Sequence, residues 1–190
     1  MAVALRPTGE HVIAAVDPVE ILDPVVVTGL DRARDRPHRP AVIAAAAQGS
    51  GPDQFLMTSY YRDDLTTLPE LGVVARQLWA QSGIGPADLD VAVLYDHFTP
   101  FVLVQLEELG ICGRGEARSF VADGGLELDG VLPVNPHGGQ LGEGYLHGMN
   151  GISEAVRQIR GTAVNQVPGA ARVLVTAGTG VPTCALILTT

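Results

Sequence analysis

Four side chains in this sequence combine proton-transfer chemistry with positions beside strand ends or glycines: Tyr95, His97, Tyr145 and His147. A phenol is a general acid and, once deprotonated, a general base. Tyr95 directly follows the apolar run 91–94 and opens Asp96-His97-Phe98-Thr99. It therefore falls at the C-terminal end of an expected strand, where open α/β sheets place their ligands. A tyrosine there either does chemistry or caps the core with its hydroxyl on backbone, and the position alone leaves both readings open. Tyr145 sits in Asn135-Pro136-His137-Gly138-Gly139-Gln140-Leu141-Gly142-Glu143-Gly144-Tyr145-Leu146-His147-Gly148-Met149-Asn150. The glycines of this run let backbone approach a bound molecule closely, although a glycine-rich loop is as readily a plain turn. Glu143, His147 and Asn150 cluster around Tyr145, with His147 reading either as a catalytic imidazole or as a satisfied loop histidine. A helix from Gly148 onward would aim its first N–H groups at a developing oxyanion, such as a thioester oxygen or enolate.

The elements that must position these residues follow from periodicity and punctuation. Short apolar runs at 25–28, 41–47, 91–94, 172–177 and 184–188 read as strands, and an uninterrupted run such as 91–94 suits a strand buried on both faces. Leu71, Val74, Leu78 and neighbouring Trp79 define a helix over 69–82, with Gly83 as its stop. Phe101, Val104, Gln105 and Leu109 define a second over 100–109, closed by Gly110 and Gly113. One or two helical turns fit 115–121, and a short turn fits 30–34. Met149, Ile152, Val156 and Ile159 form the apolar stripe of a further helix ended by Gly161. The prolines of Arg36-Pro37-His38-Arg39-Pro40 force a loop. Residues 1–24, broken by Pro7, Gly9, Pro18 and Pro24, read as an N-terminal arm or lead-in, and 25–190 as one layered α/β domain.

Composition narrows the function classes. Nearly half the residues are apolar (46%) and only 17% charged, the balance of a heavily buried protein rather than a disordered one. A net charge of −9 without an offsetting basic run argues against nucleic acid as the main partner, yet leaves room for a local anion pocket. Cys112 and Cys184 lie too far apart for metal or redox spacing, and no apolar run is long enough to span a bilayer, so a reducing cytoplasm is the expected setting. His97, His137 and His147 lack carboxylate or thiol companions at ligand spacing, so no metal is expected. No serine sits on a nucleophile elbow, and Gly178-Thr179-Gly180 is too short for a dinucleotide fingerprint.

The combined motifs resemble the thiolases. That family carries Asn-x-x-Gly-Gly and then a Gly-His-Pro supplying its catalytic histidine. Here Asn135, Gly138 and Gly139 keep the spacing, and Tyr145 stands in the histidine slot. Thiolases place Asn-Glu-x-Phe where this chain has Tyr95-Asp96-His97-Phe98. Their last glycine-rich loop bears a proton-shuttling cysteine, whereas Val175-Thr176-Ala177-Gly178-Thr179-Gly180 has none and Ala177 is nearest its place. Over 25–188 the chain is similar to the C-terminal half of a thiolase-like lipid-transfer protein, in the branch of sterol carrier protein 2-type thiolases and steroid side-chain aldolases.

The resemblance implies a layered α-β-α unit with a mixed five-stranded sheet. It also implies retro-aldol cleavage of a β-hydroxyacyl-CoA, in which Tyr95 and Tyr145 exchange protons with the substrate and propionyl-CoA and a 17-ketosteroid are released. One phenolate would take the β-hydroxyl proton, and the other phenol would protonate the thioester enolate. Since free tyrosine has a pKa near ~10, the base needs a nearby donor or positive helix end, for which His97 and His147 are candidates. Asn135, Gly138, Gly139, Glu143, Gly144, Asn150 and Gly178 are the candidate substrate contacts. Acyl-CoA is the substrate, and no cofactor is expected. Expected partners are a chain carrying the thiolase N-terminal half, or a second copy completing the unit, and a small OB-fold protein of the DUF35 type. Two other readings stand beside this one: a non-catalytic acyl-CoA-binding or scaffolding subunit, and an acyltransferase half whose cysteine lies on another chain.

Overall fold

The computed structural model describes residues 37–51, 61–144, 146–178 and 183–190, with backbone alone for two strands near the N-terminus, Ala2–Leu5 (β1) and His11–Ala14 (β2). The expected strand at 25–28 and turn at 30–34 lie outside the described residues. Four further strands follow: Ala41–Gly49 (β3), Val91–Val93 (β4), Arg172–Ala177 (β5) and Thr183–Thr189 (β6). They form one mixed sheet in the order β1-β2-β3-β6-β5-β4, in which only β4 and β5 run parallel.

The sheet has six described strands, not five. The expectation of five passed over β1 and β2, four-residue strands in a stretch where proline and glycine dominate the pattern. What makes them strands is tertiary: β2 pairs with the edge of β3 that β6 leaves open, and β1 pairs with β2. β2 covers Ala41–Ile43 of that edge, whose backbone groups would otherwise be left unpaired.

Helices Pro69–Ser82 (α1) and Pro100–Glu108 (α2), with the short Ala117–Ala122 (α3), cover one face. The expectation of one or two helical turns at 115–121 is thus met by α3. Leu71, Val74 and Leu78 of α1 join Leu106 of α2 and Ala92, Leu94, Leu174 and Ile187 in one buried cluster. Proline opens α1, and Gly83 closes it in the left-handed conformation, donating to the Trp79 carbonyl at 3.0 Å. No side chain within α1 caps its start; Glu108 of α2 does, accepting the Leu68 N–H at 3.0 Å. A carboxylate at a helix N-terminus is favourable for the dipole as well as for the bond.

The other face carries the short helix Gln140–Glu143 (α4) and the longer Met149–Arg160 (α5). Val91, Val93, Val173, Val175 and Leu188 pack there against Ala155, Val156 and Ile159. The strand alternation is clear in β4 and β5, whose successive residues divide between the two clusters. On α5, however, the buried face differs from the apolar stripe expected. Met149 is exposed and Ile152 half-buried, while Asn150, Gly151, Glu154, Ala155 and Gln158 are buried with Val156 and Ile159. Small residues explain the rotation: a Cβ on Gly151 would stand 3.1 Å from methyls of both Val93 and Val175. The backbone of α5 therefore lies directly on the parallel strands at that point. Gln158 is buried because its amide serves the 165–167 segment, accepting from Val167 N–H and donating to the Asn165 carbonyl.

This packing predicts that Leu78→Ala, at a fully buried position, lowers stability by about 2–5 kcal/mol. Val164→Ser, at a position 97% exposed, should stay within about 0.5 kcal/mol. Denaturant midpoints of the full chain in its native assembly check both; equal small effects would place α1 outside the core.

Candidate active site

The parallel ladder between β4 and β5 ends at Val93 and Val175. Beyond it, the chain from Leu94 to Asp96 remains buried, and its polar groups are met by side chains. Asn135 brackets Leu94: its Oδ1 accepts the Leu94 N–H at 2.7 Å and its Nδ2 donates to the Leu94 carbonyl at 3.0 Å. Thr176 and Gln105 close a ring around Tyr95. The Tyr95 N–H donates to Thr176 Oγ1 at 2.8 Å, the Thr176 hydroxyl donates to Gln105 Oε1 at 2.6 Å, and Gln105 Nε2 donates to the Tyr95 carbonyl at 2.8 Å. Tyr95 thereby leaves the sheet with its main chain fully specified, which the strand-end expectation requires.

Asp96 ties this segment to the glycine-rich run. Its Oδ1 accepts the Gln140 N–H at 2.9 Å. Gln140 Oε1 in turn accepts the Gly148 N–H, at 3.3 Å, at the start of α5. The contact explains Gly139, which has φ +76° and whose Cβ would collide with the Asp96 carboxylate. Gly148, at φ +86°, would bring a Cβ to 3.0 Å from that of Ala177 at the end of β5. Residues 147 and 148 both take left-handed conformations, φ being +48° at His147. This tight turn starts α5 without a side-chain cap, leaving the positive end of the helix at the site.

Asn150 organises the run itself. Its Oδ1 accepts the Leu146 N–H at 3.0 Å, while its Nδ2 donates to the Gly144 carbonyl at 2.9 Å and to Glu143 Oε2 at 3.1 Å. Position 145 is thus bracketed by contacts on its two neighbours. Tyr145 itself lies outside the described residues.

His97 is half-buried, with its ring centroid 5.0 Å from Tyr95 and stacked at 5.0 Å on Phe101. Burial pushes its pKa down, opposed by the neighbouring Asp96 carboxylate. Its neutral form is accordingly favoured, and its ring lies against that of Tyr95. The structure brings Tyr95 and His97 together and joins them through Asp96 and Gln140 to the 140–150 run. Asn135 clamps Leu94, and Asn150 clamps Gly144 and Leu146. His147 is exposed, as are Gly138 and Gly144 at φ +95° and +87°, and Gly178, at φ +74°, follows β5. Sequence reasoning did not assign Gln105, Thr176 and Gln140 to the site. Gln105 stood on an apolar stripe and Thr176 inside an apolar strand, and a polar residue at a core position is the signal that finds both. Among the described residues, no group of three or more His, Cys, Asp or Glu converges as a metal site would require.

This architecture belongs to a recognised class. The family described as thiolase C-terminal domain-like matches residues 56–190, and the chain belongs to that family. A 17-hydroxy-3-oxo-4-pregnene-20-carboxyl-CoA lyase of Mycobacterium tuberculosis is 68% identical over 164 residues, covering 86% of this chain and 42% of the relative. A steroid side-chain-cleaving aldolase of Thermomonospora curvata is 61% identical over 182 residues, covering 91% and 46%. The solved structure of an Ltp2-ChsH2(DUF35) aldolase superposes with a TM-score of 0.82 at 65% identity, over 85% of this chain and 42% of that one. The chain spans rather less than half the length of these curated relatives.

Two predictions follow from the geometry. Thr176→Val keeps the shape but strands the Tyr95 N–H and Gln105 Oε1 in the interior, with an expected loss of about 2 kcal/mol or more in a denaturant titration; an unchanged midpoint would mean the ring is dispensable. His97, with its pKa below the unfolded value of about 6.5, makes the unfolded chain the better proton binder. The stability associated with neutral His97 is complete above about pH 6.5 and is lost as pH falls through its lowered pKa. His97→Gln should therefore flatten the acid side of a melting-temperature profile, and parallel profiles would refute the assignment.

Proposed function

We propose that this chain forms the C-terminal half of a thiolase-fold carbon–carbon lyase that cleaves a β-hydroxyacyl-CoA on a steroid side chain by a retro-aldol reaction. The observation that carries the reading is the rigid placement of Tyr95 at the end of β4, joined by Asp96 and Gln140 to the run holding Tyr145. High identity to relatives named as a steroid-CoA lyase and a steroid side-chain-cleaving aldolase supports the same substrate class.

In the reaction proposed, one tyrosine, as phenolate, removes the proton of the β-hydroxyl. The oxygen lone pair forms the ketone as the Cα–Cβ bond breaks, and its electrons pass to Cα as the thioester enolate. The other tyrosine protonates Cα, giving a short acyl-CoA and a ketosteroid. One phenol has gained a proton and the other has lost one, so proton exchange between them resets the site. The uncapped start of α5 and the glycine-lined backbone near it are placed to stabilise the enolate oxygen. Neutral His97 against the Tyr95 ring offers a polar contact that adds no competing charge. Acyl-CoA is the substrate in this scheme, and no cofactor is invoked.

Partners belong to the proposal. The described residues expose large apolar side chains beside the site, Phe98, Leu141, Leu146 and Met149, as a face does that packs on another surface. A unit carrying the thiolase N-terminal half is the fitting occupant, since the relatives extend well beyond this region. A DUF35 protein is a further expected companion, by analogy with the solved aldolase complex. No helix among the described residues is long and apolar enough to cross a membrane. The free thiols Cys112 and Cys184 suit a reducing cytoplasm.

Tyr95→Phe and Tyr145→Phe, each in the assembled enzyme, should lower kcat for acyl-CoA cleavage roughly 100-fold or more with KM little changed. Near-normal turnover in either variant would remove that tyrosine from proton transfer, and in both would favour a binding or scaffolding role.

A further inference from the structure

His137 is buried on its side-chain atoms, which are 4% exposed, yet neither ring nitrogen has a hydrogen-bond partner among the described residues. Such orphaned polar atoms are uncommon and disfavoured in a folded interior. Its Nε2 lies 3.8 Å from Glu143 Oε2, just beyond hydrogen-bond range. Glu143 is the side chain able to close that gap, being 29% exposed and on a four-residue helix. The same Glu143 oxygen accepts from Asn150 Nδ2, and Asn150 holds Gly144 and Leu146. From the opposite side, Arg157 places its guanidinium 3.9 Å from Glu143 Oε1. Glu143 therefore stands between an inward imidazole and an outward, half-exposed cation.

We propose that His137 is a positioning residue for Tyr145: it draws Glu143 inward, and Glu143, through Asn150, fixes the backbone on both sides of position 145. The role rests on the lyase reading for its catalytic consequence, but not for its structural one. Without His137, Glu143 turns to Arg157 and releases Asn150, so the 144–146 backbone loses its two clamps. The expected effect is on the placement of the reacting group rather than on acyl-CoA affinity.

The test uses His137→Leu and His137→Gln in the full chain within its native assembly. Hydrogen exchange of the peptide spanning 144–149 is read beside kcat and KM. His137→Leu should speed exchange there roughly tenfold or more and lower kcat roughly tenfold to 100-fold, with KM changed less than about threefold. His137→Gln, which keeps a donor able to reach Glu143, should recover most of both. Adding Glu143→Gln to His137→Leu should bring little further loss, because the two act in one chain of contacts. Unchanged exchange in His137→Leu, equal impairment by the glutamine variant, or fully additive losses would each overturn the proposal. If His137→Leu does not assemble, the glutamine variant decides by its exchange and kcat: wild-type-like values support the role and impaired ones reject it. Failure of the lyase reading would show separately, as normal turnover in Tyr145→Phe, while the exchange data still decide whether His137 holds the loop.

Discussion

A short length of buried main chain with no ladder partner among the described residues governs this structure. After Val93 the β4–β5 ladder stops, yet Leu94, Tyr95 and Asp96 stay in the interior. Buried N–H and C=O groups must find partners, and here side chains provide them: Asn135 for Leu94, Thr176 and Gln105 for Tyr95. These partners come from the glycine-rich run, from β5 and from α2, so the strand end becomes the point where three elements are locked together. A ladder that stopped without these side chains would have left orphaned polar groups, at about 1–3 kcal/mol each.

The opposite face of the sheet imposes a complementary requirement. Helix α5 must start at the site and lie flat on β4 and β5, which small residues allow. Gly148 meets Ala177, and Gly151 sits between Val93 and Val175. A larger side chain at either glycine would lift the helix from the sheet, moving the Gly148 N–H away from Gln140 and so loosening the tie to Asp96. Close packing on one face and side-chain hydrogen bonding across the strand end thus depend on each other. The alanine at 177 belongs to this arrangement, since it is the residue against which the turn into α5 is packed.

Much of the frame was legible because its signals are local. Gly83 and Gly161 end helices in the left-handed conformation where expected, and the apolar runs of β4 and β5 are strands in the structure. The place of Tyr95 just beyond a buried strand was legible from the apolar run 91–94. What escaped depends on three-dimensional pairing. β1 and β2 gain strand character from the edge of β3, which no local pattern records. The buried face of α5 turns on Gly151 and Ala155, and a hydrophobicity pattern gives a glycine no weight as a core residue. Asn135 and Asn150 read as substrate contacts in the sequence; that they also hold the backbone of Leu94, Gly144 and Leu146 depends on pairings that no local pattern records.

Tyr95 and the two neighbours of position 145 are held by different physical means, and that asymmetry bears on how the candidate site can respond. Around Tyr95 the main-chain bonds to Thr176 and Gln105 are neutral hydrogen bonds between buried groups, and burial favours the neutral form of the nearby imidazole. Such a network holds one geometry and is insensitive to salt. Around position 145 the clamp passes through Asn150 to a carboxylate that also faces His137 and an exposed Arg157. Interactions between partly exposed charges are screened and redistribute readily. Tyr95 is therefore the fixed reference of the candidate site, and the hold on Gly144 and Leu146 is the part that can be tuned by what stands near Glu143.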